Sequence, residues 1–482
     1  MSPPLLLLAS LIILVVALRL RLRRSRLPLP PGPRKLPVVG NLFDVPATYP
    51  WETFARWCKE YDSDIIHLDL AGKSVIVLGS GEATTDLLEK RSAIYSDRDN
   101  LPMVNDLMGW GFVIGTMKYG DEWRIHRRLA NQALSVKASR KYEPHALLAT
   151  QKLLRSMLND PDAFLTHLRQ LAGELTISVA YGIDILPSKD PYVKLAQDAV
   201  HTWAAALVPG LYLVDTFPIL KYVPSWFPGA GFKRKAQEWR KLSWDMAELP
   251  FAETKRQMAS GIAPSSFTAD ALNASKDATR VFYQEHHKKA QAEIDSVVGG
   301  EALPTFEDRD SLPYVSALVE EVLRWNTVGP LAVPHLLTVE DEYKGYRIPA
   351  GSVVIGNAWG LLHDETVYPD PHAFKPERFL LPNGQPDPSV RNPEVAFGFG
   401  RRYQCPGRHM ATSTIWITVA SMLAAFDIKK AVDVDGRVIE PMYEYASSMV
   451  CEPLPFKCAI TPRSAKAAAL VQSGGTDSMR RA

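Results

Sequence analysis

Apolar residues are unevenly distributed along this chain. From Leu5 to Leu18 only Ser10 breaks an apolar run, and no charge appears before Arg19. A segment without a polar face predicts insertion into a membrane rather than packing in a soluble core, although it is short beside the roughly 20 residues of a full span. The next stretch, Leu27 to Pro33 with Pro37 and Gly40, is dense in proline, which fixes φ and removes donors, so a stiff extended connector is expected. Asp64 to Leu78 alternates apolar and polar residues around Ala71-Gly72-Lys73, the pattern of a β-hairpin. From Asp121 to about Met258 the spacing is helical, with breaks at Pro161, Pro187, Pro191 and Pro209. Within it, Phe217 to Phe232 is rich in Pro, Trp and Phe, which suits a loop dipping into a bilayer interface and suits core packing nearly as well. A polar stretch, Ala259 to Thr279, leads into a helix ending near Val298, and Tyr314 to Trp325 predicts another. Lys344 to Gly356 reads as two short strands around Pro349-Ala350-Gly351, followed by a proline-dense meander from Tyr368 to Pro393. A last helix runs from Arg408 to about Phe426, and the small, polar tail after Arg463 is expected to be disordered. The fold class is mainly α with a small β region.

Charge sharpens the reading of the first segment. Five arginines lie between Arg19 and Arg26, after the apolar run, whereas a secretory signal carries its positive charge before it. That order predicts an uncleaved single-pass anchor with the following domain in the cytoplasm. The rest of the 482 residues is ordinary globular material, 46% hydrophobic and 22% charged, and a net charge of +2 argues against a dedicated nucleic-acid binder. Four cysteines are present, Cys58, Cys405, Cys451 and Cys458. A cytoplasmic domain does not favour disulfides, and no pair has zinc-knuckle spacing.

Only Cys405 has surroundings that suggest chemistry. It lies in Phe397-Gly-Phe-Gly-Arg-Arg-Tyr-Gln-Cys-Pro-Gly-Arg-His409. A lone thiolate that binds an iron must be held in a tight loop with backbone N–H groups turned toward the sulfur. The glycines let that backbone turn and lie flat against a porphyrin, and a helix starting just after Cys405 favours the thiolate form.

Here the chain resembles the cytochrome P450 family, over nearly its whole length and with the motifs in order. The Phe397, Gly400, Cys405 and Gly407 segment is similar to the family's haem-binding loop, with Arg402 beside it. Glu321-x-x-Arg324 resembles the family's buried Glu–Arg pair, and Arg378, in Phe374-Lys-Pro-Glu-Arg378-Phe379, resembles its third partner. Trp123-x-x-x-Arg127 matches the propionate-binding helix, and His335 a second propionate contact. The resemblance implies haem b with Cys405 as the axial iron ligand, and monooxygenation of an apolar organic substrate. It also implies electrons from NADPH through a flavoprotein reductase (NADPH–cytochrome P450 reductase) and an endoplasmic reticulum membrane location. The pattern is most similar to fungal microsomal members of secondary metabolism. Arg124, Arg128, Arg401 and Arg408 could serve an acidic electron donor or simply be solvated; Phe112, Val113, Ile114 and Leu331 could face an apolar substrate or be plain core.

The sequence departs from the family twice. Cys405 follows Phe397 by eight positions where the family has seven, so Tyr403-Gln404 fills the place of one residue. In addition, no acid–Thr run with its glycines lies between Phe267 and Gln291. Asp277-Ala-Thr279 lacks the glycines, and Ala172-Gly-Glu-Leu-Thr176 comes too early. Most of the family's oxygen-activating helix, roughly 30 residues or 45 Å, is therefore expected to be missing. The competing expectation is a catalytically impaired or non-catalytic haem-binding remnant; an isomerase or dehydratase acting on peroxides is a further rival. The organisation expected is an anchor at 1–20, a basic and proline-rich linker at 21–41, a haem domain at 42–463 with the gap near 269–283, and a tail at 464–482.

Overall fold

The computed structural model describes residues 27–473, except 184, 187–189, 208–210, 261–283, 401, 403 and 442–443. The expected anchor, the polar stretch containing Asp277 and Thr279, and Arg401 and Tyr403 of the cysteine loop lie outside the described residues. No helix among the described residues is long and apolar enough to cross a membrane.

The first helix, α1 (Pro50–Glu60), begins on a proline and carries Glu52 early and Lys59 late, each charge matching the helix end it occupies. Its buried face is Trp51, Phe54 and Trp57, three residues apart. This face covers a sheet made of β1 (Ile65–Leu70), β2 (Lys73–Leu78), β3 (His335–Leu336) and a later strand, Val353–Gly356. β1 and β2 form the expected hairpin, Ile65 opposite Leu78 and Leu70 opposite Lys73. Ala71 and Gly72 both have positive φ, 53° and 93°, as a two-residue turn of the right twist requires.

The second predicted strand pair folds differently. β4 (Asp341–Tyr343) pairs with β5 (Tyr346–Ile348) across Lys344-Gly345, and β6 (Val353–Gly356) leaves β5 to join the main sheet. The reason lies in burial. Every residue of β6 is buried, so it needs neighbours on both edges, β2 in parallel and β3 antiparallel.

The helical part contains α2 (Asp121–Leu134), α3 (Glu143–Asn159), α4 (Phe164–Tyr181), α5 (Pro191–Ala206), α6 (Gly231–Ala259), α7 (Gln284–Val298), α8 (Pro313–Trp325) and α9 (Arg408–Ala425). α9 is apolar on nearly every side and is correspondingly buried, packed by α3, α7 and α8. Glu293 of α7 accepts the backbone N–H groups of Tyr314 and Val315 at 2.8 and 3.0 Å, so one helix caps the start of another.

Two boundary expectations are corrected. Residues 27–41 are part of the globule. Pro28 and Pro31 carbonyls accept from the backbone of Arg347 and His67, each at 2.8 Å. Gly40 has φ of 61°, and a Cβ there would come within 2.1 Å of the Asp69 carbonyl oxygen. The tail is also not uniformly disordered. After β7 (Phe426–Lys430) and β8 (Cys458–Pro462) comes α10 (Ala465–Ser473), with Ala467 and Val471 buried one turn apart. Its alanines, counted as small and polar-tail composition in the sequence, are the strongest helix formers.

Candidate functional site

The cysteine loop is built by backbone constraints on either side of it. A single turn, Glu394–Phe397, delivers the chain to Gly398 and Gly400, whose φ values of 93° and 82° side-chain-bearing residues rarely adopt. A Cβ on Gly400 would lie 2.7 Å from the Leu88 carbonyl oxygen, so the loop is pressed against the neighbouring chain there. Cys405 N–H donates to the Phe397 carbonyl at 2.9 Å and closes the loop. Gly407 then begins α9, which places the half-buried Cys405 sulfur near a helix N-terminus. That end carries partial positive charge and favours a thiolate.

Two other sequence-predicted residues, Trp123 and Arg127, lie on α2 beside this loop. Arg127, on α2, donates to the Gln404 carbonyl at 2.7 Å. Gln404 is one of the two residues, Tyr403 and Gln404, that fill the place of one, so the oxygen that ties α2 down comes from the lengthened stretch of the loop. Arg402 lies over the Tyr119 ring at 4.5 Å, and Tyr119 lies against the buried Trp123 at 5.1 Å. Tyr119 N–H in turn donates to Asp97, whose carbonyl accepts from Leu336 beside His335.

His335 is buried on β3, and its Nδ1 lies 2.8 Å from the Tyr95 carbonyl. Burial, with the nearby Arg98 cation adding to it, holds its pKa well below the usual histidine range, so the ring is neutral. Arg98 is the residue the sequence reading missed. It is 3% exposed and donates to the Val333 and Pro334 carbonyls at 2.5 and 2.6 Å. In sequence it sits in Asp97-Arg98-Asp99-Asn100, which reads as a solvated charge cluster; only the apolar residues on either side hinted at burial.

Glu321, Arg324 and Arg378 form a separate buried network. Arg324 donates twice to Glu321, at 2.6 and 2.8 Å, and Arg378 Nε donates at 3.1 and 3.2 Å. Glu321 and Arg324 are 0% exposed. Lys375 N–H also donates to the carboxylate, and the guanidiniums spend their remaining donors on the carbonyls of Leu362, Pro369 and Ala373. Its place is between α8 and the meander, where it fixes the chain leading toward the cysteine loop.

These residues fit a haem. Among the described residues no group of three or more His, Cys, Asp or Glu is placed to hold a metal ion, so Cys405 would bind iron as a lone protein ligand, which suits an iron whose other positions a porphyrin fills. Arg98, Arg127 and Arg402 would supply cations for acidic substituents, and the Nε of Arg408, three residues after the cysteine, is buried with no hydrogen-bond partner.

The comparisons with known proteins follow this geometry. The family model described as Cytochrome P450 matches residues 30–280 and 281–458. The chain is 43% identical over 484 aligned positions to Cytochrome P450 monooxygenase 98 of Postia placenta, covering 93% of each. It is 40% identical to Cytochrome P450 monooxygenase ple1 of Rhodocybe pseudopiperita, covering 92% of this chain and 91% of that one. It is 38% identical to Tryptamine 4-monooxygenase of Psilocybe cyanescens, covering 90% and 93%. The family match is interrupted between residues 280 and 281, inside the interval where the sequence reading places the shortfall. Each alignment is also roughly three dozen positions longer than the share of this chain it uses, about the length of one long helix.

Proposed function

Because the chain belongs to the cytochrome P450 family, we propose that it is a haem-thiolate monooxygenase that places one oxygen atom of O2 into an apolar organic substrate. The observation that carries this reading is the Cys405 loop, closed by the Cys405–Phe397 backbone bond and set at the start of α9. Haem bound there would supply the oxygen chemistry, driven by electron density from a thiolate ligand. The chain's own residues do the rest. Cys405 would hold the iron, and Gly398 and Gly400 would let the backbone lie close to the haem. Trp123, Arg127 and Arg402, with His335 and Arg98, would bind and orient its acidic substituents. The neutral state of His335 makes it a hydrogen-bonding group there rather than a second cation.

Electrons come from NADPH through a flavoprotein reductase, and the location is the endoplasmic reticulum membrane. What supports this is the apolar run at Leu5–Leu18 followed by arginines. The impaired remnant weighed from the missing acid–Thr pair finds no support in a family match that spans residues 30–280 and 281–458. The proposal is tested with membranes that contain the haem-loaded protein and a reductase, given NADPH, labelled dioxygen and a panel of apolar organic compounds. Product with one labelled oxygen atom is expected. Consumption of NADPH with peroxide release and no labelled product from any compound would overturn it.

A further inference from the structure

The peptide unit that precedes Cys405 is held at both of its polar ends. Its N–H, on Cys405, donates to the Phe397 carbonyl at 2.9 Å, and its C=O, on Gln404, accepts from Arg127 at 2.7 Å. The two partners come from different parts of the fold. Phe397 ends the single turn Glu394–Phe397 that feeds the loop, and Arg127 belongs to α2. A peptide group is planar, so fixing its N–H and its C=O fixes the plane. The far side of the cysteine is restrained as well: its own carbonyl accepts from Arg408 N–H at 3.4 Å as α9 begins. The direction in which Cys405 carries its sulfur follows from where these bonds hold the backbone.

The hold on the carbonyl counts for more here than it would in a shorter loop. Tyr403 and Gln404 fill the place of one residue, and an added residue brings two more rotatable backbone angles between Gly400 and Cys405. α2 and the residue leading toward it meet the lengthened stretch twice. Arg402 lies over the Tyr119 ring at 4.5 Å, and Arg127 takes the Gln404 carbonyl two positions later. The second is a charge-assisted bond, stronger than one between neutral groups. The Gln404 side chain contributes less, since its amide only approaches Glu394, at 3.5 Å and in an exposed place.

We propose that Arg127 is a positioning residue for the Cys405 thiolate, acting through the Gln404 carbonyl, besides meeting an acidic substituent of the haem. A guanidinium presents five N–H donors in one plane, so one side chain can serve both partners. A lysine keeps the charge without the fork and cannot hold a carbonyl and a carboxylate in the same fixed arrangement. This inference rests on the haem-thiolate reading and adds a link between the residue that meets the haem's acidic substituent and the loop that holds its iron.

The test is the carbon monoxide difference spectrum of the reduced, haem-loaded, full-length protein in membranes. It is read as the ratio of the red-shifted band of thiolate-ligated haem to the band of haem that has lost the thiolate. Haem content per chain, measured on the same samples, reports haem retention separately. Arg127→Lys should keep most of the haem and lower the ratio by about threefold. Arg127→Met should lower it by about tenfold, the scale of one hydrogen bond from a charged donor. Two controls isolate the carbonyl contact. Gln404→Ala removes the side chain but not the carbonyl, and Trp123→Phe removes an expected haem contact on α2 but not the bond. Each should leave the ratio within about twofold of the wild type. A wild-type ratio in Arg127→Lys would overturn the proposal, as would an equal fall in Gln404→Ala or Trp123→Phe. If Arg127→Met holds no haem, the Arg127→Lys ratio decides alone. Failure of the haem-thiolate reading looks different, because the wild type itself then lacks the red-shifted band.

Discussion

Two buried polar sites in this molecule have opposite character. Around Glu321, four donor groups make five hydrogen bonds to one carboxylate, and the chain supplies the partners itself. Around Trp110 the chain supplies rings but leaves two indole donors and one amide acceptor open. The first arrangement can only be disturbed by adding a ligand, because no group is left to bind one. The second still has groups to satisfy. A closed network is how a fold fixes a chain segment, and an open one carries the cost of buried groups without partners.

The largest effect that would break this comparison is at the closed site. Glu321→Ala leaves Arg324 charged, 0% exposed and without its carboxylate, and removal of one partner from a buried ion pair costs about 3–5 kcal/mol. Loss of most folded, haem-binding protein is expected, measured as haem content per expressed chain. A variant with unchanged haem content and urea midpoint would show that the network is dispensable. Arg378→Ala should cost less, since Arg378 stands at the edge of the network and Arg324 remains to pair the carboxylate.

A smaller effect sharpens the contrast at the open site. Asp215 fastens the Pro102–Leu107 turn by accepting from Met103 N–H, with Lys73, Asp99 and Asp106 as its charged neighbours. Burial raises its pKa to about 6 against an ordinary value of 3.8. The folded state therefore keeps this proton to higher pH than the unfolded chain. Its contribution is fully present below the ordinary value and is lost as pH rises through about 6. Asp215→Asn keeps an acceptor without the charge. It should stabilise the protein by about 1 kcal/mol at neutral pH, and the gain should vanish toward the ordinary carboxylate range, followed by urea unfolding at several pH values. An equal gain at all pH values would mean that the charge is not what matters.

The smallest effect concerns a cysteine outside both sites. Cys58 is packed so closely under Gly79 that a Cβ there would meet its sulfur at 2.4 Å, and burial pushes its pKa up to about 12. Mass spectrometry after alkylation at mildly alkaline pH should find Cys58 unmodified until the protein is denatured. Prompt modification in the native protein would contradict that packing.

Much of the closed site was legible in the sequence because its residues are fixed by spacing. Glu321 and Arg324 are one helical turn apart, and Arg378 follows in a proline-rich motif. The cysteine loop was legible for the same reason, since its glycines sit where φ is positive. Arg98 was not, because a charge between two aspartates looks solvated until the strand at His335 covers it. The open site was not legible either: Trp110 and Trp203 are 93 positions apart in the chain, and only the packing of the loop on α5 brings their rings together. The strand exchange at β6 was missed because a local pattern cannot tell which neighbour a fully apolar strand will choose. The helix at Ala465–Ser473 was missed because alanine is weak as a hydrophobic signal and strong as a helix former.

The central claim is that Cys405 is the ligand of a haem iron. It is tested most directly by the carbon monoxide difference spectrum of the reduced protein in membranes, recorded for the wild type and for Cys405→Ala. The account expects the red-shifted Soret band of thiolate-ligated haem in the wild type and its loss in the variant. A wild type that takes up haem but gives no red-shifted band, or a variant that keeps the band, would contradict it.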